Sequence, residues 1–368
     1  MATSIICKRF QQMEIRASTE QHTHVVLNRD WDIYFEGLPV VSSLKKKKRM
    51  QQLSGFTFNM SPSVLVVGAG ELGTAVLEAL SKHPNRQGGK LAVLRRQETI
   101  ESHDASKQKA VQYVKALGAE LEAGDFVNDP IPELVAIFKK YDIVVQCGGY
   151  GMAPGTQIRV TQAALEAGVP RYFPWQFGVD YEVIGKGSSQ EMFDEMLEVR
   201  KMLRAQHKTN WTIISTGLFM SFLFLPDFGV FDFKNRTIRA LGGWDTCITV
   251  TLPKDIGTMV AEMVYRPENT DNRVVYIGGD TITYEQFADI ADAAYDTKFE
   301  RQVLDIPYLR NKLKNEPQNL WLKYQIIFGE GTGCTWPMEK TLNQQRGIKL
   351  TGVDAFVKEN KDNLISGV

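Results

Sequence analysis

Cysteine is scarce and scattered in this 368-residue chain: Cys7, Cys147, Cys247 and Cys334 are its four, and none forms a CxxC pair. That spacing excludes a disulfide framework and a zinc module, and it fits a reducing compartment, with the cytoplasm as the expectation. Histidine is almost as rare, with five (His22, His24, His83, His103 and His207) and no HExxH or other ligand spacing, so no metal site is expected. Long apolar runs are missing too. The stretch from Leu218 to Leu225 is too short to span a bilayer, and the first 60 residues lack the apolar core of a secretory signal. There is no excess charge of either sign: 43 Lys and Arg face 43 Asp and Glu, which argues against a nucleic-acid partner. No GxSxG elbow exists, which speaks against a serine hydrolase.

What remains is an ordinary globular composition, 43% hydrophobic and 10% aromatic, long enough for two domains or one two-lobed unit. Residues 1–60 hold nine Lys and Arg against five Asp and Glu, including the run Lys45-Lys46-Lys47-Lys48-Arg49. They read as a basic, mobile extension, with the folded unit starting beside Met60. From Ser63 onward short apolar runs alternate with helical patterns. Strands are expected at Val64–Val67, Leu91–Leu94, Ala119–Glu122, Asp142–Gln146, Arg171–Phe173 and Trp211–Ser215, with helices between them. Continuous apolar strands separated by helices of about a dozen residues predict an α/β fold with a doubly wound parallel sheet of the Rossmann type. After residue 216 the rhythm changes, and six phenylalanines fall between Phe219 and Phe233. The expectation is a nucleotide-binding domain over 61–216 and a smaller C-terminal α/β lobe over 217–368, with strands returning to the main sheet and substrate bound at the strand ends.

The strongest motif is Gly68-Ala69-Gly70-Glu71-Leu72-Gly73, a GxGxxG that follows a strand and opens a helix. In that setting the first glycine permits the turn, the second admits a pyrophosphate, and the third lets helix and strand pack closely. A merely structural glycine turn is the alternative. About twenty residues on, where an NAD site places an acid, the chain has Arg95-Arg96. A guanidinium suits a 2′-phosphate, so NADPH or NADP is the expected cofactor, unless the pair only meets solvent. The loops Cys147-Gly148-Gly149 and Trp175-Gln176-Phe177-Gly178 follow later strands and are expected beside the nicotinamide half. The expected cofactor set is therefore Gly68, Gly70, Glu71, Leu72, Gly73, Arg95, Arg96, Cys147, Gly148, Gly149, Trp175 and Phe177.

Together with Gly124-Asp125 and the stretch Arg171-Tyr172-Phe173-Pro174-Trp175-Gln176-Phe177-Gly178-Val179-Asp180, these residues make the chain resemble the NmrA-like and isoflavone-reductase-like branch of the atypical short-chain dehydrogenase/reductases. The resemblance spans roughly residues 63 to 350 and is nearest to fungal aromatic-alcohol-reductase-like members. It implies a Rossmann lobe, NADPH and a small aromatic or enone-like substrate. The expectation is an aromatic, polyketide-like or alkaloid-like compound of specialised metabolism, handled by a monomer or homodimer with no membrane partner. One departure stands out. The plant reductases carry a proton-handling lysine at a position that aligns with Met196, and methionine moves no proton. The only Tyr-x-x-x-Lys, Tyr308 to Lys312, lies far past the helix where that pair serves dehydrogenases. The catalytic acid is therefore left open, with Lys186 and Tyr181 as weak candidates. Trp175, Phe177, Met196, Phe219, Phe222 and Trp244 are the candidate substrate residues; core packing is the alternative for the aromatic ones, and Met196, on an apolar helix face with Met192, Val199 and Leu203, reads as core or pocket wall. Three functions follow: an NADPH-dependent reductase, a redox-neutral cyclase or isomerase that keeps NADP as a structural part, and a cofactor-sensing regulator.

Overall fold

The structure, a computed structural model, describes residues 61–149 and 151–365, together with four two-residue strands between residues 14 and 34. Those short strands form two antiparallel ladders, Glu14–Ile15 with Thr23–His24 and Val26–Leu27 with Ile33–Tyr34. The expected basic extension, Lys45 to Arg49 included, otherwise lies outside the described residues. Residues from Met60 onward form a compact unit of their own.

Its centre is a seven-stranded parallel sheet: β1 (Val64–Val67), β2 (Leu91–Arg95), β3 (Glu120–Ala123), β4 (Ile143–Gln146), β5 (Arg171–Phe173), β6 (Asn210–Ser215) and β7 (Arg273–Tyr276). The order across the sheet is β3-β2-β1-β4-β5-β6-β7. It reverses direction between β1 and β4, the switch point of a doubly wound Rossmann fold. Strands β1 and β4 are buried at every position, because helices cover both faces. Side chains alternate between two cores. Val64, Val66, Val93 and Val145 point to one side, while Leu65, Val67, Ala92 and Val144 point to the other.

The first side is covered by α1 (Glu71–Lys82) and α6 (Pro253–Tyr265), the second by α3 (Ile131–Phe138), α4 (Thr156–Ala167) and α5 (Met192–Arg204). Helix α2 (Ala105–Ala116) precedes β3 and is capped by Asp104, whose carboxylate accepts from Lys107 N at 2.9 Å. Helices α1 and α6 approach closely at Gly257, where a Cβ would stand 2.5 Å from the carbonyl oxygen of Ala75. A C-terminal stretch thus completes the sheet and one of its helical layers, as the returning strand β7 also does.

The remaining residues form two three-stranded sheets. Leu218–Phe219 pairs with Cys247–Thr251, which pairs with Asp280–Thr283. Phe231–Asp232 pairs with Thr237–Leu241, which pairs with Glu300–Leu304. Helices α7 (Tyr284–Tyr295), α8 (Ile306–Asn315), α9 (Leu320–Glu330) and α10 (Val353–Ile365) pack around them. Of these strands the sequence pattern picks out only Thr249 to Thr251. The others are two to five residues long: Asp280–Thr283 and Glu300–Leu304 are mostly half-buried or exposed, and the buried Thr237–Leu241 is broken by Arg239, so they carry little apolar alternation.

Candidate functional site

A cavity of about 810 Å³ opens at the carboxyl ends of β1, β2, β4 and β5 and runs on to α9. One end is built from backbone. Gly68 has φ +91°, and a Cβ on it would lie 2.6 Å from Gly148 N. At Gly73 a Cβ would lie 2.0 Å from the Gly68 carbonyl oxygen, so this glycine lets α1 close onto the loop and lies beneath the cavity wall. Gly70 differs, since a Cβ there would meet nothing within 4 Å. The space over Gly70 is open cavity, and α1 starts directly after this residue with no side chain from its cap position bonding the first-turn N–H groups. Free donors beneath an open glycine match what a pyrophosphate requires.

Arg95 ends β2 at the same rim. It is half-buried, and its Nη2 donates to the Ala69 carbonyl at 3.4 Å. Its Nε is buried with no hydrogen-bond partner among the described residues, and burial lowers its pKa from the usual arginine value. A buried guanidinium N–H without an acceptor fits an incoming phosphate oxygen. Arg96 lines the rim too but is more exposed and pairs with Glu98 at 3.2 Å. Glu71 and Leu72 complete this wall, and burial raises the pKa of Glu71.

The loop after β4 is fixed by close packing. Gly148 O accepts from Gln146 Nε2 at 2.8 Å and from Gln157 Nε2 at 3.1 Å, and a Cβ on Gly148 would meet the Phe126 ring at 2.6 Å. A Cβ on Gly149 would stand 1.9 Å from the Trp175 indole. Cys147 is sealed beneath, with its thiol pushed well up by burial, so it is a packing group rather than a nucleophile. Asp125, after β3, also lines the cavity. Burial opposes its charge, but hydrogen bonds from Asn128 and from Val127 N outweigh that and keep its carboxyl below the ordinary range.

The other end is aromatic. Trp175, Phe177, Phe219 and Phe222, four of the candidate substrate residues, line it together with Phe193, Trp321, Tyr324 and Phe328. The last three lie at spacings of three and four on α9 and so share one helix face. Phe222 stands edge-on to Phe219 at 5.9 Å and to Trp321 at 5.8 Å. The phenylalanine-rich stretch divides here. Phe219 and Phe222 face the cavity, whereas Phe224, Phe231 and Phe233 pack with Phe287, Tyr295 and Phe299 in the lobe's core.

Three expected site residues fall elsewhere. Met196 on α5 is fully buried and absent from the cavity wall, because it packs into the hydrophobic cluster that also holds Phe173 and Phe193. Trp244 is also outside the wall, with the Arg301 guanidinium 5.7 Å over its ring. Lys186 is exposed, pairs with Glu198 at 3.0 Å, and borders a separate, smaller cavity with Arg310 and Lys314. Tyr181, by contrast, lines the main cavity. Arg200, one turn past Met196, is fully buried and holds Gln176 Oε1 at 2.8 Å, Glu182 at 3.0 Å and Asp180 at 3.4 Å. The Phe177-to-Asp180 stretch is thereby fixed to α5. The α9 residues were missed because nothing in their pattern separates a cavity-facing helix from a core one. Among the described residues, no cluster of three or more His, Cys, Asp or Glu is placed to hold a metal ion, and no helix is long and apolar enough to cross a membrane.

The sequence profile of the NmrA-like family matches residues 60–356, nearly the whole compact unit. The chain belongs to the NmrA-like family. An NmrA-like family domain-containing oxidoreductase of Gibberella moniliformis is 48% identical over 302 residues, covering 82% of this chain and 98% of that one. This NmrA-like chain is accordingly an oxidoreductase. Among solved structures, an isoflavone reductase superposes with a TM-score of 0.67 at 19% identity, covering 81% of this chain and 98% of its own. The structure of AtPrR2 with NADP+ and (+)pinoresinol superposes with a TM-score of 0.68 at 22% identity, covering 82% of this chain and 99% of its own. At such identities these two likenesses establish the fold, which is the α/β doubly wound architecture expected from the sequence.

Proposed function

We propose that this oxidoreductase binds NADPH at the glycine-loop end of the cavity and reduces a small aromatic, polyketide-like or alkaloid-like molecule at the other. The observation that carries the reading is the continuity of one cavity from Gly70 and Arg95 to Phe222 and Trp321. A site for a dinucleotide alone has no use for the aromatic half, and a docking face for a protein partner has no use for a deep cleft. The solved relative that holds NADP+ and pinoresinol together lends support by analogy.

Bound NADPH supplies a hydride. The first-turn N–H groups of α1 over Gly70 hold the pyrophosphate, and Arg95 with Arg96 holds the 2′-phosphate. Trp175, Phe177, Phe219 and Phe222 orient the acceptor, and their bulk excludes water from the reacting atoms.

Calorimetry against NADPH and NADH, followed by turnover of aromatic carbonyl compounds with 4-deuterated NADPH, tests this. NADPH binding well above NADH and deuterium on product carbon are the expected results. Product without deuterium turns the reading to redox-neutral chemistry, and no dinucleotide binding ends it.

A further inference from the structure

The acceptor half of the cavity has few groups able to move a proton. Glu71, Arg95, Arg96 and Asp125 belong to the glycine-loop end, and the other ionisable side chains of the described lining are Cys147, Tyr181 and Tyr324. Cys147 is a sealed thiol. Tyr181 opens a single helical turn, Tyr181–Ile184, directly after the Phe177-Gly178 loop. That turn is held rigidly: Asp180 Oδ1 accepts from Glu182 N at 3.2 Å, Asp180 Oδ2 from Tyr276 Oη at 2.5 Å, and Asp180 N donates to Gly333 O at 2.8 Å.

The Tyr181 ring stands edge-on to Phe193 at 4.8 Å, with the Arg200 guanidinium 5.4 Å from its centre. The residue is only 2% exposed, yet it forms part of the cavity wall. Its hydroxyl makes no hydrogen bond to any described residue, whereas the phenols of Tyr141, Tyr172 and Tyr276 each have a partner. Gly178 makes the room for it, since a Cβ there would stand 2.6 Å from Tyr181 Oη. The Gly178 backbone does not lie in the left-handed region, so the position calls for a missing side chain and not for conformational freedom.

We propose that Tyr181 is the catalytic acid of this chain, its hydroxyl binding the carbonyl oxygen of the acceptor and giving it a proton. The proposal rests on the NADPH-reductase reading and supplies the function that Met196 cannot. The reductant is the dihydronicotinamide of that reading, which is oxidised as its hydride adds to the carbonyl carbon. The C=O π pair moves to oxygen, the Oη–H bond of Tyr181 breaks, and the proton joins that oxygen to complete an alcohol. The phenolate left behind lies beside Arg200, whose Nη2 has no hydrogen-bond partner among the described residues, and it recovers a proton from water. Burial raises the Tyr181 pKa and the Arg200 charge opposes that rise. The net upward direction keeps the phenol protonated at neutral pH, the state a donor needs.

Tyr181→Phe removes the hydroxyl and keeps the ring against Phe193 and Arg200. Calorimetric titration of the NADP+ complex with 2-naphthaldehyde and with 2-methylnaphthalene isolates the contribution of the carbonyl. The wild type should favour the aldehyde by roughly 5–10-fold, a net hydrogen bond, while Tyr181→Phe binds the two alike and the hydrocarbon as before. With NADPH and 2-naphthaldehyde, alcohol formation should fall by at least ~100-fold in the variant at unchanged NADPH affinity. Gly178→Ala, which crowds the hydroxyl without removing it, should also reduce the aldehyde preference, with no further effect on top of Tyr181→Phe. An aldehyde preference retained in Tyr181→Phe, or reduction at the wild-type rate, overturns the proposal and leaves the reductase reading standing. Failure of both naphthalenes to bind the wild-type complex overturns that reading and the proposal with it.

Discussion

The two ends of the cavity are made by opposite means. The glycine-loop end is assembled from main chain contributed by neighbouring strand ends, and its shape depends on side chains being absent at Gly68, Gly70, Gly73, Gly148 and Gly149. The aromatic end is assembled from side-chain bulk brought together from positions as distant as Phe177, Phe222 and Trp321. Backbone donors fixed by a tight loop recognise a constant chemical group, a phosphate, whatever the fold attaches to it. Aromatic faces recognise area and flatness, and they can be exchanged one at a time without disturbing the loop. On the proposed reading the cofactor end is therefore the half that resists substitution and the acceptor end the adjustable one.

The glycines give the sharpest way to break this comparison. Gly73→Ala forces a methyl to within 2.0 Å of a carbonyl oxygen that cannot move without opening the loop. It should cost at least the ~1–3 kcal/mol of core overpacking, read as a lowered denaturation midpoint. Gly70→Ala adds its methyl to open space, and with φ −77° its backbone accepts alanine. Its stability should stay within ~0.5 kcal/mol of the wild type. NADPH affinity should instead drop by roughly 1–3 kcal/mol, since the methyl takes the place of the pyrophosphate. Equal stability losses in the two variants would mean that Gly70 is scaffold and that no anion sits above it.

A crossed pair of substitutions then tests whether the ends act separately. Arg95→Ala should weaken NADPH by ~1.5–3 kcal/mol, leaving NADH binding and 2-methylnaphthalene binding unchanged. Phe222→Leu removes edge-on contacts to Phe219 and Trp321 and should weaken 2-methylnaphthalene by ~0.5–1.5 kcal/mol at unchanged NADPH affinity. If Phe222→Leu weakens NADPH as much as Arg95→Ala does, the cavity is one indivisible site and the division fails.

The same contrast explains what could be read from the sequence. The sheet strands β1 and β4 are legible because burial on both faces demands unbroken apolar runs. The glycine loop is legible because its geometry tolerates almost no substitution, so the motif and the structure nearly coincide. Arg95 is legible by its fixed distance along the chain from that loop. The aromatic end has no such local signature. Trp321, Tyr324 and Phe328 look like any apolar helix face, and only the packing of α9 against the strand ends makes them a wall. Met196 is legible as buried from its spacing with Met192, Val199 and Leu203, but whether it serves core or cavity wall depends on how α5 packs. Here α5 turns that position fully into the core, while Arg200 on the same helix reaches the loop that matters.

Lys186 provides the smallest effect and the strictest check on this division. It lies ten residues before the family's proton-handling position and is the lysine the sequence offers as a catalytic candidate. In the structure it is 60% exposed, shares Glu198 with Lys201, and borders the separate cavity instead of the one that holds Gly70 and Phe222. An exposed ion pair that already competes with a second lysine contributes little to stability. Lys186→Met should leave the melting midpoint, NADPH affinity and aldehyde reduction at wild-type levels, measured beside Tyr181→Phe under the same conditions. A collapse of turnover in Lys186→Met with Tyr181→Phe unaffected would move the proton source to the other side of the helical turn, and the acceptor end would then have to extend beyond its aromatic walls.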